Sequence, residues 1–148
     1  MKQKAHIGKV ASKRTVTIEA GMVERFVKAL DINDPLSTDA AAAKKAGLPG
    51  LMLPQAGVSS LGEYHEVISL LELKPKQVLH SKETITIVEP LCVGDDIDVT
   101  TTVGDLYEQQ VGGNPMGFVT IEVVGKLKRA KKFEAQRVLA VRGGFPRR

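Results

Sequence analysis

Tryptophan is absent from this 148-residue chain, and aromatic residues make up only 4% of it. Surfaces that bind nucleic acid by base stacking rely on aromatic platforms, so composition does not favour a nucleic-acid partner. Cysteine is limited to Cys92, which excludes an internal disulfide and makes a cytoplasmic location the expectation. No run of about 18 uninterrupted apolar residues occurs, so no transmembrane helix and no membrane partner are expected. The opening MKQKAHIGKV is basic and lacks the apolar core of a secretory signal. The three histidines, His6, His65 and His80, share no metal-ligand spacing, and Cys92 stands alone. No zinc site is expected.

What is present is ordinary for a globular protein: 43% hydrophobic and 26% charged residues. The length suits one domain spanning 1–148. The formal charge is +4, and the excess collects near the end in Lys126, Lys128, Arg129, Lys131, Lys132, Arg137, Arg142, Arg147 and Arg148. A solvated basic face is the plain reading. A small polyanion such as coenzyme A or phosphopantetheine, or a nucleic acid, is the functional one.

The first half mixes turns with helical stretches. Lys13–Ala20 alternates as a strand does. Met22, Val23, Phe26, Val27 and Leu30 mark one face of a helix over Glu19–Leu30. Asp31, Asn33, Asp34 and Pro35 stop it, since Asp and Asn compete for backbone groups and Pro35 disfavours helix at Asp34. Thr38 or Asp39 caps an Ala-rich helix ending at Gly47. Gln55–Leu73 has Val58, Leu61, His65, Ile68 and Leu71 at helical spacing, which predicts the longest and most buried helix of the chain. His65, on that apolar stripe, is expected inside. The second half reads as strands at Thr84–Val88, Asp96–Val103, Phe118–Leu127 and Phe133–Val141, with a turn at Gly112–Pro115. Helices followed by antiparallel strands give an α+β fold. One long helix with about five strands predicts a sheet curled around the helix.

Three segments resemble one family. Glu89-Pro90-Leu91-Cys92-Val93-Gly94-Asp95 resembles the RPLxVGD segment of the hotdog-fold MaoC-like dehydratases. Phe26–Asp39 (FVKALDINDPLSTD) resembles their YAxAxGDxNPLHxD segment, and VLAVRG their last strand. The likeness is greatest to the N-terminal, FAS1-like dehydratase branch. It implies an antiparallel sheet of five to six strands around a long helix. It also implies hydration of trans-2-enoyl thioesters, or the reverse dehydration, on coenzyme A or acyl carrier protein. No metal or redox cofactor is implied, and a homodimer or a heterodimer with a catalytic MaoC-like subunit is.

The family's reaction uses a carboxylate and an imidazole as base and acid, and a backbone N–H that polarises the thioester carbonyl. This chain departs from that pattern. Ser37 stands at the histidine position, and a hydroxyl cannot act as a base near neutral pH. The Asp position falls on Ile32 without a gap, or on Asp31, with Asn33 as the Asn, if one residue is inserted. Before the predicted long helix, Pro54 replaces a histidine, leaving the Gln55 or Ala56 N–H, beside Gly57, to face a carbonyl. The candidates are therefore Asp31 and His65 as catalytic groups, and Asn33, Ser37, Gln55, Ala56 and Gly57 as substrate contacts. A bland role stands beside each: turn and cap residues for Asp31 and Asn33, a first-turn residue for Gln55, an interior histidine for His65. Cys92 reads as a small buried apolar residue. The ranking is a subunit with an incomplete site, then a stand-alone hydratase or dehydratase, then a binding regulator.

Overall fold

The structure, a computed structural model, describes residues 1–147; Arg148, counted above in the basic excess, lies outside them. Its elements run β1 (Val10–Thr17), α1 (Ala20–Leu30), α2 (Pro35–Thr38), α3 (Ala40–Lys45), α4 (Gln55–Val58), α5 (His65–Leu70), β2 (Val78–Ile87), β3 (Asp96–Val111), β4 (Asn114–Leu127) and β5 (Ala130–Arg142). The strands form one antiparallel sheet in the order β1-β3-β4-β5-β2. The helices lie over one face of it. This is the α+β hotdog-like arrangement.

Strict alternation decides which face is covered. Ile97, Val99 and Val103 of β3, Val119, Ile121 and Val123 of β4, and Phe133, Leu139 and Val141 of β5 point one way and are buried. They meet Val23 of α1, Val58, Leu61, and Val67 and Ile68 of α5 in one hydrophobic cluster. Each such side chain, fully buried, contributes roughly 1.5–3 kcal/mol. The opposite face carries Thr84, Thr86, Asp98, Thr100, Glu122 and Glu134.

Local chemistry sets the helix ends. α1 closes with Asp31 in the left-handed region (φ 52), its N–H bonded to the Val27 carbonyl; Asp is among the few residues with a Cβ that tolerate this. Asp34 caps α2 by accepting from the Leu36 N–H at 3.0 Å. Asp39 caps α3 by accepting from the Ala41 and Ala42 N–H groups.

The predicted long helix is not continuous. Over Gln55–Leu73 the chain forms α4, a turn through residues 59–64, and α5. Two arginines take the carbonyls that a helix would have bonded internally. Arg137 donates through Nη2 to the Ser59 carbonyl and through Nη1 to that of Gly62 at 3.0 Å. Arg14 donates to the Leu61 carbonyl at 3.1 Å and pairs with Glu63 at 2.7 Å. Ser60 Oγ donates to the Gly57 carbonyl. The longest helix is α1, and the layer over the sheet is built from short pieces. Arg137, read from sequence as part of a basic face, is 2% exposed and pairs with Glu83 at 3.0 Å.

Candidate functional site

The EPLCVGD segment is a turn that builds a wall. Gly94 takes a φ of +96, a conformation that suits glycine. The buried Asp95 carboxylate accepts from the Cys92 N–H at 2.9 Å, and the Ile18 N–H donates to the Asp95 carbonyl. The turn is thereby fixed to the end of β1. Leu91 accepts from the Leu53 N–H at 2.7 Å, and Met52 bridges Cys92. The 51–54 stretch is held against this wall on one side. On the other, the Met52 N–H donates to the Leu36 carbonyl at 2.8 Å.

These bonds leave a groove of about 510 Å³ between α2, the 52–55 stretch and the end of β2. Ile32, Met52, Leu53, Ile87, Val88 and Leu91 make it apolar, with Pro54 and Pro90. Its polar lining is Asp34, Ser37, Gln55 and Glu89. Ser37 is 2% exposed, and its Oγ donates to the Met52 carbonyl at 2.8 Å. Asp34 is engaged as the α2 cap, and Glu89 pairs with Lys132 at 2.9 Å. Gln55 opens α4, and among the described residues the N–H groups of Gln55 and Ala56 have no acceptor. No histidine lines the groove.

The sequence candidates do not share one place. Ser37 and Gln55 line the groove, with Ala56 next to Gln55. Gly57 is buried where a Cβ would come within 2.6 Å of Leu53 and 3.1 Å of Phe26, so it serves the close approach of α4 to α1. Asp31 is the α1 cap, and Ile32 is the residue of that segment that lines the groove. Asn33 is exposed outside it. His65 is exposed at the start of α5, stacked on Tyr64, and lines a separate surface groove with Val10, Ala11 and Leu70. The interior position expected for His65 followed from an unbroken helix; the break rotates the stripe after Leu61 and puts the imidazole outside. The structure does not bring Asp31 and His65 together.

Cys92 is buried, and that burial pushes its thiol up, with the Asp95 carboxylate adding to the effect. Such a thiol is a poor nucleophile near neutral pH. Among the described residues no three His, Cys, Asp or Glu side chains converge to hold a metal ion, and no helix is long and apolar enough to cross a membrane. The sequence reading missed the wall at Ile87, Val88 and Glu89. The run TITIV followed directly by EPLCVGD was the available signal, but its facing partner at Met52–Leu53 is not encoded locally.

Comparison with known proteins places this geometry. The family described as FAS1-like, dehydratase domain region matches residues 5–129. No curated protein matches the sequence. Among solved structures, the fold is similar to the ChsH1-ChsH2 complex from Mycobacterium tuberculosis, with a TM-score of 0.75 and 18% identity over 99% of this chain and 93% of that one. It is also similar to the HadBC (3R-hydroxyacyl-ACP dehydratase) complex of the same organism, with a TM-score of 0.77 and 14% identity over 91% and 96%. The R-hydratase PhaJ1 from Pseudomonas aeruginosa gives a TM-score of 0.66 and 15% identity over 92% and 81%.

Proposed function

The chain belongs to the FAS1-like dehydratase domain family, of the MaoC-like hotdog type, and we propose from that membership that it is an acyl-thioester-binding subunit completed by a catalytic partner. The observation that carries the proposal is the groove. It is apolar enough for an acyl chain, and Gln55 lines it at the start of α4, where the N–H groups of Gln55 and Ala56 have no acceptor among the described residues. Yet Ser37, at the family's histidine position, is spent on the Met52 carbonyl.

The reaction sets the requirement. In hydration of a trans-2-enoyl thioester, the oxygen of water bonds to C3 while a base removes one of its protons. A proton is then delivered to C2 as the enolate collapses to the thioester. The N–H groups at Gln55 and Ala56 suit the enolate oxygen. No imidazole in the groove suits the water, and its two carboxylates are engaged by Leu36 N–H and Lys132. A second subunit must bring the acid–base pair. Two of the similar structures are printed as two-component complexes, ChsH1-ChsH2 and HadBC, which supports this reading. A cytoplasmic setting, with Cys92 reduced, goes with it.

The test is hydration of crotonyl-CoA, followed by loss of the conjugated-thioester absorbance. The chain alone is expected to be inactive, and activity is expected on co-expression with a MaoC-like subunit encoded beside it. Turnover by the isolated chain would overturn the proposal and return attention to a stand-alone site.

A further inference from the structure

The helices cover one face of the sheet, and the open face divides into two halves. The half toward the β4–β5 hairpin is polar, with Thr84, Thr86, Thr100, Glu122, Glu134 and Gln136. The half toward the β3–β4 hairpin is not. There one rung of the sheet runs Tyr107, Phe118, Ala140 and Leu79 across β3, β4, β5 and β2. Leu106, Val119, Leu139 and Val141, their neighbours along the strands, are buried under the helices, so alternation turns this rung outward. Tyr107 and Phe118 stack with ring centroids 5.1 Å apart. Leu79 and Tyr107 are 45% and 40% exposed. The chain has two tyrosines and four phenylalanines, and one of each stands on this stripe. A contiguous apolar stripe on an uncovered face marks a contact surface.

The rungs beside it carry opposite charges at their two ends. The next one runs Asp105, Thr120, Val138 and Lys82, again from β3 to β2. Asp105 belongs to it because a bulge sets Gly104 and Asp105 opposite Thr120, and the Asp105 N–H donates to Thr120 Oγ1 at 2.6 Å. Neither Lys82 nor Asp105 has an ion pair among the described residues. The two rungs after that read Thr102, Glu122, Gln136, Thr84 and Thr100, Val124, Glu134, Thr86.

This pattern maps onto itself. A two-fold axis along the strands, between β4 and β5, exchanges β3 with β2 and β4 with β5. In a facing copy it sets Leu79 over Tyr107, Ala140 over Phe118, Lys82 over Asp105 and Gln136 over Glu122. Thr84 and Thr86 then lie over Thr102 and Thr100. The one mismatch, Glu134 over Val124, falls at the far end, where Glu134 already pairs with Lys131. An isologous contact requires this self-complementarity, and an unrelated partner gives no reason for it. Four rungs of four strands span roughly 19 by 26 Å, about 1,000 Å² for two copies, which is at the lower limit for a specific interface. Sheets packed in this way keep their strands nearly aligned, about 10 Å apart.

We propose that the open face of the sheet is a self-association surface, on which a second copy of this chain packs about a two-fold axis between β4 and β5. The groove lies on the helix side and stays free. The proposal does not rest on the acyl-thioester reading.

The experiment is sedimentation equilibrium of the full chain against Asp105→Lys, Lys82→Asp, the double variant Lys82→Asp/Asp105→Lys, and Tyr107→Thr/Phe118→Thr. Each single reversal turns two attractive pairs repulsive and is expected to loosen the association about tenfold. That difference is expected to shrink as salt rises. The double reversal restores both pairs and is expected to associate within about threefold of the wild type. Tyr107→Thr/Phe118→Thr is expected to abolish the association, and if it does not fold, the charge reversals still decide. Asp105 lies on β3, with β4 and β5 between it and the β2 edge, so its effect reports the face alone. Thr84 and Thr86 stand on both face and edge, and lysine there disturbs the two together. A wild type that stays monomeric overturns the proposal, as does Asp105→Lys without effect. A double reversal as loose as the single ones also overturns it, since the face would then meet a different surface.

Discussion

Arg137 donates through Nη1 to the carbonyl of Gly62, 3.0 Å away and 75 residues earlier in the chain. The guanidinium lies against that glycine so closely that a Cβ there would sit 3.0 Å from Nη1 and 3.1 Å from Cζ. With its bond to the Ser59 carbonyl and its pair with Glu83, the same side chain ends α4 and prevents α4 and α5 from joining. Arg14 holds the Leu61 carbonyl from the opposite edge of the sheet.

Replacing Arg137 by Met takes the ion-pair partner from the Glu83 carboxylate, 14% exposed, leaves it only the Ser59 hydroxyl as donor, and frees two carbonyls. Removing one partner of a buried pair costs about 3 kcal/mol or more. Arg137→Met/Glu83→Leu is expected to recover part of this, because the unpaired charge goes but the carbonyls remain bare. Gly62→Ala is expected to cost about 1–3 kcal/mol by overpacking against the guanidinium. Denaturant midpoints read all three. A loss below about 1 kcal/mol for Arg137→Met would mean that the break does not depend on the arginine.

This contact also shows what a one-dimensional reading can and cannot reach. α1, the Asp39 cap of α3 and the Gly112-Gly113 hairpin were legible, because residues within a turn of one another decide them. Val58, Leu61, His65 and Ile68 gave a helical period that was equally clear and led to the wrong helix length. The donors that interrupt it come from β1 and β5. The site divided in the same way. Ser37 was singled out in the sequence, and it lines the groove. The wall at Ile87–Leu91 was not, since it faces the groove through the Leu53–Leu91 and Met52–Cys92 pairings.

Ser37 gives a second prediction. Its buried hydroxyl ties α2 to the Met52 carbonyl, so Ser37→Ala is expected to lower stability by about 1 kcal/mol. Ser37→His puts an imidazole in a space filled by a hydroxyl. It is expected to destabilise by about 1–3 kcal/mol and to remain inactive on crotonyl-CoA without a partner. Thermal unfolding and the hydration assay report the two effects separately. Turnover by this single variant would show that only the imidazole was missing, and the partner would be unnecessary for chemistry.

Cys92 gives a pH dependence whose sign is fixed. Burial first, and the Asp95 carboxylate second, raise its thiol above the ordinary range. The unfolded chain ionises from about pH 8.5, while the folded thiol stays protonated to higher pH. Its contribution is therefore fully present below the unfolded value and declines as pH rises toward the folded one. Stability measured from pH 7 upward is expected to fall more steeply for the wild type than for Cys92→Ala. A thiol reagent at pH 7 is expected to react only as fast as the protein opens. Prompt modification under native conditions would contradict the buried placement.

The two sheet edges predict where a partner strand attaches. β1 is eight residues long, carries Lys13 and Arg14 and has a register shift between Val10 and Ser12. Those are the features by which edge strands resist pairing. β2 is ten residues long, and its shift, between His80 and Lys82, and its charges, Lys82 and Glu83, fall within its first six residues. Beyond it Thr84, Ile85, Thr86, Ile87 and Val88 follow with no charge and no proline, and Val88 is 54% exposed. An unprotected edge of this composition either pairs or aggregates. The purified chain is therefore expected to run heavier than its 16.0 kDa in light scattering, or to co-purify with a partner chain. Thr84→Lys/Thr86→Lys is expected to return it to a monomer, with the same unfolding midpoint within about 0.5 kcal/mol because both side chains stand on the exposed face. Thr15→Lys on β1 is expected to leave the assembly intact. If the wild type is monomeric at high concentration and binds no hotdog partner, the β2 edge is not an interface, and the incomplete groove needs another explanation.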